Sequence, residues 1–179
     1  MKKAIFLDRD GVINELVNIN GISRSPHNLN ELFFSDNLLE SLEIFKLLKF
    51  ELIIITNQPD ITRGKFSEHA LQLIHNNISS FTGITNIYFC PHIAIDDCFC
   101  RKPKPGLILQ AAKDLNININ LSYLIGDNYS DILAGRSANL KECFLIQKPY
   151  NNWKSYKDVS SFKSLKSAAL HIFSRMNLE

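Results

Sequence analysis

Asp8-Arg9-Asp10-Gly11-Val12-Ile13-Asn14 is the stretch on which the fold of this 179-residue chain turns. It follows Lys3 to Leu7, whose apolar run Ala4-Ile5-Phe6-Leu7 has the length of a buried strand. Two carboxylates two residues apart in a loop can point at a common space, and Gly11 lets the backbone turn sharply. In open parallel sheets, ligands sit outside the carboxyl ends of strands, which is where this turn falls.

Outward from the turn, short apolar runs alternate with helical patterns. Leu52 to Ile55, Asn86 to Phe89, Ser122 to Ile125 and Glu142 to Ile146 read as strands. Asn37 to Lys49 reads as a helix capped by Ser35 or Asp36, and Ser67 to Phe81 as a second with Ser67 as N-cap. Gly106 to Leu115, Ser130 to Ala138 and Lys163 to Met176 complete the set. The alternation predicts an α/β fold, a parallel sheet covered on both faces, in one domain over residues 1–179.

Composition bounds the function. Hydrophobic residues make up 45% and charged residues 21%, which excludes a disordered chain. A net charge of +2 with no dense basic run gives no reason to expect nucleic acid. No apolar run has the length of a membrane span, and the stretch before Asp8 is too short for a signal peptide, so the expectation is a cytoplasmic monomer with reduced thiols.

Two further polar signals share the topological position of the acidic turn. Thr56-Asn57-Gln58 follows the second expected strand of the sheet; Gly126-Asp127 follows the fourth, with Asp131 beyond. Taken singly, each is as well explained as a turn or cap residue. Together they gather Asp8, Asp10, Thr56 and Asp127 along one sheet edge. Crowded carboxylates repel unless a cation neutralises them, and oxygen ligands select a hard ion such as magnesium. One carboxylate can attack phosphorus, a second can move the proton, and Thr56 with a lysine can position the phosphoryl group.

Cys90, His92, Cys98 and Cys100 form a separate cluster of soft and borderline ligands, the set of a closed tetrahedral zinc site. No open position remains on such an ion, so a structural zinc is expected, pinning the loop before Arg101 and Lys102. Cys143 reads as core. His27, His69, His75 and His171 carry no claim.

Asp8-x-Asp10-Gly11-Val12, Thr56-Asn57-Gln58, Arg101-Lys102-Pro103 and Gly126-Asp127-x-x-x-Asp131 resemble, in order and spacing, the four motifs of the haloacid dehalogenase-like superfamily. The resemblance runs from Ala4 to about Ile146. It implies a doubly wound, Rossmann-like sheet, Asp8 as nucleophile, Asp10 as general acid/base, and Thr56 and Lys102 on the transferring phosphoryl group. Magnesium would sit on Asp8, the Asp10 carbonyl and Asp127. Asp131 would support them, and Lys102 rather than Lys104 would be the phosphoryl-contacting lysine. Cys90-Pro91-His92 with Cys98-x-Cys100-Arg101-Lys102-Pro103 is similar to the D-glycero-D-manno-heptose 1,7-bisphosphate and histidinol-phosphate phosphatases, small enzymes without a large cap domain that carry zinc here. That likeness implies Asn57, Gln58 and Arg101 as substrate contacts. The implied substrate is a small phosphorylated compound: a heptose 1,7-bisphosphate cleaved at C7, or alternatively histidinol phosphate. Arg101 and Arg24 are the cations available for a second phosphate. Pro59-Asp60 departs from the usual Ser-Gly, removing a backbone donor and adding negative charge that could serve a histidinol amine. A phosphoaspartate receiver and a zinc-stabilised sugar-binding module are the non-enzymatic alternatives; the Cys/His loop opposes the first and the Asp8/Asp10 pair the second.

Overall fold

Residues 1–151 and 153–176 are described by a computed structural model. Along the chain run β1 (Ala4–Leu7), β2 (Val17–Ile19), β3 (Ile22–Arg24), α1 (Leu38–Leu47), β4 (Glu51–Asn57), α2 (Glu68–Thr82), β5 (Ile87–Cys90), α3 (Gly106–Leu115), β6 (Tyr123–Gly126), α4 (Tyr129–Ser137), β7 (Glu142–Ile146), β8 (Ser161–Phe162) and α5 (Leu165–Met176). Six strands form one sheet in the order β5-β4-β1-β6-β7-β8, and every neighbouring pair is parallel. The doubly wound sheet is therefore present, with β1 at an inner position.

The two-residue period of β1 divides the core. Ile5 and Leu7 face a cluster with Leu42 and Phe45 of α1, Ile74 and Ile78 of α2, and Ala168 and Ile172 of α5. Ala4 and Phe6 face the other side, with Ile108 and Ala111 of α3 and Ile132 and Ala134 of α4. Both faces are covered, so the strands are apolar throughout and the polar groups collect at their carboxyl ends.

The helix α1 departs from expectation at its start. Neither Ser35 nor Asp36 caps it; Asn37 is the N-cap, in the left-handed region at φ 55°, and makes no side-chain cap bond. The cap of α2 is Ser67, whose side chain accepts from the Ala70 amide. Ser164 caps α5, its Oγ accepting from the Ser167 amide at 3.2 Å, so that helix begins two residues later than the pattern suggests. The antiparallel pair β2–β3 was not anticipated. Its turn is Asn20-Gly21, both at positive φ, the left-handed pair that suits a tight hairpin. The short edge strand β8 is also additional. No helix among the described residues is long and apolar enough to cross a membrane.

Candidate active site

The acidic turn begins where β1 ends. The Asp8 amide donates to the Ile125 carbonyl of β6 at 2.9 Å, and the amides of Ile13 and Asn14 fold back onto the Arg9 carbonyl at 2.8 and 3.1 Å. Gly11 sits at φ 82°, and a Cβ there would come within 2.2 Å of Asp127 Oδ2, so only glycine lets this turn close against β6.

Lys102 reaches the same point from the loop before α3. Its Nζ lies 2.8 Å from Asp8 Oδ1 and 2.6 Å from Asp131 Oδ1, and it donates to the Ile55 carbonyl at 3.1 Å. Burial works against the ammonium, but Asp131 and Asp8 outweigh it and raise its pKa. Asn57 fixes the lysine's backbone: its Oδ1 accepts from the Lys102 amide and its Nδ2 donates to the Lys102 carbonyl, both at 3.1 Å. The Asn57 side chain is thus engaged with the loop it was expected to share with substrate. Lys104 pairs instead with Asp97 at the exposed surface.

Asp10 lines the cleft with its carboxylate gripped by its neighbours. Arg9, wholly buried, clasps it through Nε at 3.1 Å and Nη2 at 2.9 Å, while Asn14, Ser25 and Gln58 donate to it at 2.9, 2.8 and 2.8 Å. Gln58 Nε2 also reaches Thr56 Oγ1 at 2.8 Å, tying the second motif to the first. Burial favours the neutral carboxyl, but Arg9 and these three donors hold it below the usual carboxylate range. On its far side Arg9 meets His75 of α2, with Nη1 3.2 Å from Nε2.

Asp127 ends β6. Tyr150 donates to its Oδ2 at 2.6 Å and Asn151 to its carbonyl at 2.7 Å. Asp131 forms a capping box with Asn128 at the start of α4, accepting from the Asn128 amide at 2.9 Å. Carboxylate oxygens of Asp8, Asp127 and Asp131 lie within 4.8 Å of one another, all buried. Burial, then Asp131, pushes the Asp127 carboxyl up to about 7; burial and Asp131 likewise raise Asp8, with Lys102 opposing. One lysine does not balance three buried carboxylates, and the donors are all hard oxygens. The set therefore fits a divalent cation of the magnesium type. Both Asp131 oxygens are already engaged, by Lys102 and by the Asn128 amide, which leaves Asp8 and Asp127 as the carboxylates to hold it.

The cysteine loop closes on itself. Cys90 Sγ lies 3.6 Å from Cys98 Sγ and 3.2 Å from Cys100 Sγ, Cys98 and Cys100 are 3.4 Å apart, and His92 Nδ1 is 3.5 Å from Cys90 and 3.3 Å from Cys100. Zinc–sulfur bonds of about 2.3 Å set tetrahedral edges of roughly 3.8 Å, so four free ligand atoms at these spacings fit one zinc after a slight expansion. Arg101, next in sequence, donates to the His92 carbonyl at 3.0 Å, so the cluster sets the register of Arg101 and Lys102.

A cleft of about 860 Å³ opens over Asp8 and Asp10 and is lined further out by the β2–β3 hairpin, Arg63, Lys65 and Arg101. The hairpin cation Arg24 is engaged, clamping Glu31 with both Nη atoms at 2.8 Å. Asp60 does not present a bare negative rim. Its carboxylate takes Arg63 Nη1 and His27 Nε2 at 3.0 Å and has Lys65 Nζ at 3.6 Å. Tyr150, Ser25, Arg9 and His75 belong to the site without having been singled out from sequence. Tyr150 alone had a usable signal, since it follows β7 at the same sheet edge.

A carboxylate pair, a buried lysine and a hard-cation site at the carboxyl edge of a parallel sheet define a phosphoryl-transfer centre. Comparison with known proteins agrees. A HAD-hydrolase-like family model matches residues 99–147. The D-glycero-beta-D-manno-heptose-1,7-bisphosphate 7-phosphatase of Pasteurella multocida is 40% identical over 159 residues, covering 82% of this chain and 83% of that protein. The enzyme of the same name from Helicobacter pylori is 39% identical over 171 residues, covering 91% and 95%. The D-glycero-alpha-D-manno-heptose-1,7-bisphosphate 7-phosphatase of Photorhabdus laumondii is 40% identical, covering 81% and 82%. The crystal structure of a D,D-heptose 1.7-bisphosphate phosphatase from B. bronchiseptica shares the fold, with a TM-score of 0.82 at 24% identity over 97% of this chain and 99% of that one. The chain belongs to the HAD-like phosphatases, in the family of the heptose-1,7-bisphosphate 7-phosphatases.

Proposed function

We propose that the protein removes the C7 phosphate of a D-glycero-D-manno-heptose 1,7-bisphosphate through an aspartyl-phosphate on Asp8. The observation that carries the reading is the buried contact of Lys102 with Asp8 beneath a cleft whose rim is cationic. The Asp8 carboxylate attacks phosphorus in line with the sugar oxygen, and Lys102 and Thr56 orient the phosphoryl oxygens. Asp10 gives the departing oxygen its proton, then takes one from the water that hydrolyses the acyl phosphate. The arriving phosphate dianion adds like charge beside Asp10 and raises its affinity for that proton. Asp8, Asp127 and the Asp10 carbonyl would hold magnesium, which when bound would neutralise the charge on the phosphoryl group. Cys90, His92, Cys98 and Cys100 would hold zinc, which would serve the fold of the loop.

Arg101, together with the net positive charge left where Arg63 and Lys65 share the single carboxylate of Asp60, favours a second phosphate over the amine of histidinol phosphate. Asp60, the residue that would suit the amine, already pairs with Arg63 and Lys65 and has His27 at hydrogen-bond distance. Relatives named for both anomers occur at equal identity, so either anomer is a fitting substrate. Free thiols in the cysteine loop suit a cytoplasmic location. The test is kcat/KM under magnesium for both heptose bisphosphate anomers and for histidinol phosphate. A preference for a heptose bisphosphate is expected; a preference for histidinol phosphate overturns the assignment.

A further inference from the structure

His75 lies on α2, outside every motif, with 5% of its surface exposed, and its Nε2 is 3.2 Å from Nη1 of the wholly buried Arg9. A guanidinium carries donors only and does not lose its proton. The contact therefore has one polarity: Arg9 donates, and the imidazole is neutral, with its lone pair on Nε2 and its proton on Nδ1. The ring is fixed from another side by an edge contact to Phe89, centroids 5.7 Å apart. Arg9 uses Nε and Nη2 on Asp10, so its two ends join His75 to the carboxyl group of the second motif aspartate.

We propose that His75 is a positioning residue for the proton-transfer step, holding Arg9 in the one orientation that aims the Asp10 carboxyl at the leaving oxygen. The inference rests on the acid/base role given to Asp10 above. A guanidinium that loses its acceptor retains a buried, unpaired donor and shifts to satisfy it, and Asp10, gripped by two of the same group's nitrogens, is pulled off the position it shares with Asn14, Ser25 and Gln58. The consequence is specific to proton delivery. A sugar oxygen leaves poorly without a proton, whereas p-nitrophenolate leaves without one.

The test compares kcat/KM, which reports events up to leaving-group departure, for a sugar phosphate and for p-nitrophenyl phosphate. The variants are His75→Phe, which fills the space without an acceptor, His75→Gln, which restores one, and Asp10→Asn as reference, with thermal unfolding followed for each. His75→Phe is expected to lose roughly 10- to 100-fold on the sugar phosphate, within the range of a displaced general acid, and less than about threefold on the nitrophenyl ester. His75→Gln should stay within about threefold of wild type on both. If His75→Phe does not fold, His75→Leu takes its place and must show the same split. Equal losses on the two esters, no loss on either, or a folded His75→Gln as impaired as the apolar variant overturns the role of His75. Should Asp10→Asn itself lose equally on both esters, the acid/base reading falls and this inference with it; a leaving-group split in Asp10→Asn without one at His75 removes the inference alone.

Discussion

The Nζ of Lys102 lies 2.8 Å from Oδ1 of Asp8, inside a site where both side chains are almost wholly buried. The same ammonium pairs with Asp131 at 2.6 Å, so one cation bridges Asp8 and a residue in the first turn of α4. Replacing it leaves two buried carboxylates without their partner. Lys102→Met should therefore lower kcat/KM by two decades or more, and destabilise the magnesium-free protein by about 3 to 5 kcal/mol, the usual cost of stranding one side of a buried pair. Lys104→Ala, which removes only an exposed pair with Asp97, should stay within about threefold of wild type. Steady-state kinetics with urea unfolding of both variants checks this, and equal losses in the two would contradict it.

The cysteine loop should behave as a metal clip distant from the reacting atoms. Elemental analysis of protein purified without chelator should return one zinc per chain, and Cys98→Ser should return markedly less, with a lower Tm. Its activity should fall with it, because Cys100 is followed directly by Arg101 and Lys102. Wild-type protein free of zinc at full activity would remove this account of the loop.

Burial, then the charge of Arg9, lowers the His75 pKa from 6.5 to about 4. The sign follows from proton counting: between those values the unfolded chain binds a proton that the folded chain does not, so stability rises with pH across the window. The contribution is complete above about 6.5 and is lost as pH falls toward 4, up to roughly 3 kcal/mol from a displacement of this size. Urea unfolding at pH 7 and pH 5 should show a smaller decline in His75→Gln than in wild type; an identical decline would assign the pH dependence elsewhere.

The residues legible in the sequence were those that announce chemistry by type and place. Carboxylates, a threonine and a glycine at strand ends, and a dense Cys/His loop, follow from local composition and the two-residue period of buried strands. What stayed hidden depends on packing across elements. Nothing local marks His75, seventeen residues beyond Gln58, as the acceptor for Arg9, and nothing within the acidic turn marks Arg9 as buried. Arg24 looked available for a phosphate and is occupied by Glu31, seven residues away on the short 3-10 helix Leu29–Glu31. The β2–β3 hairpin is a different kind of omission, because Asn20-Gly21 is a recognised tight-turn pair and its flanks are β-branched. The start of α1 was misjudged because Asn37 adopts the left-handed conformation itself, so neither preceding residue acts as a cap.

The central claim is that Asp8 carries the phosphoryl group. Wild-type enzyme mixed with substrate and magnesium, quenched in acid within the first turnover and reduced with borohydride, converts an acyl phosphate at that position to homoserine, which peptide mass spectrometry detects. Homoserine is expected at position 8 in amounts that rise and decay with turnover, and none in Asp8→Asn, which should release no phosphate. Phosphate release at the wild-type rate by Asp8→Asn, with position 8 of the wild type unmodified throughout, would contradict it.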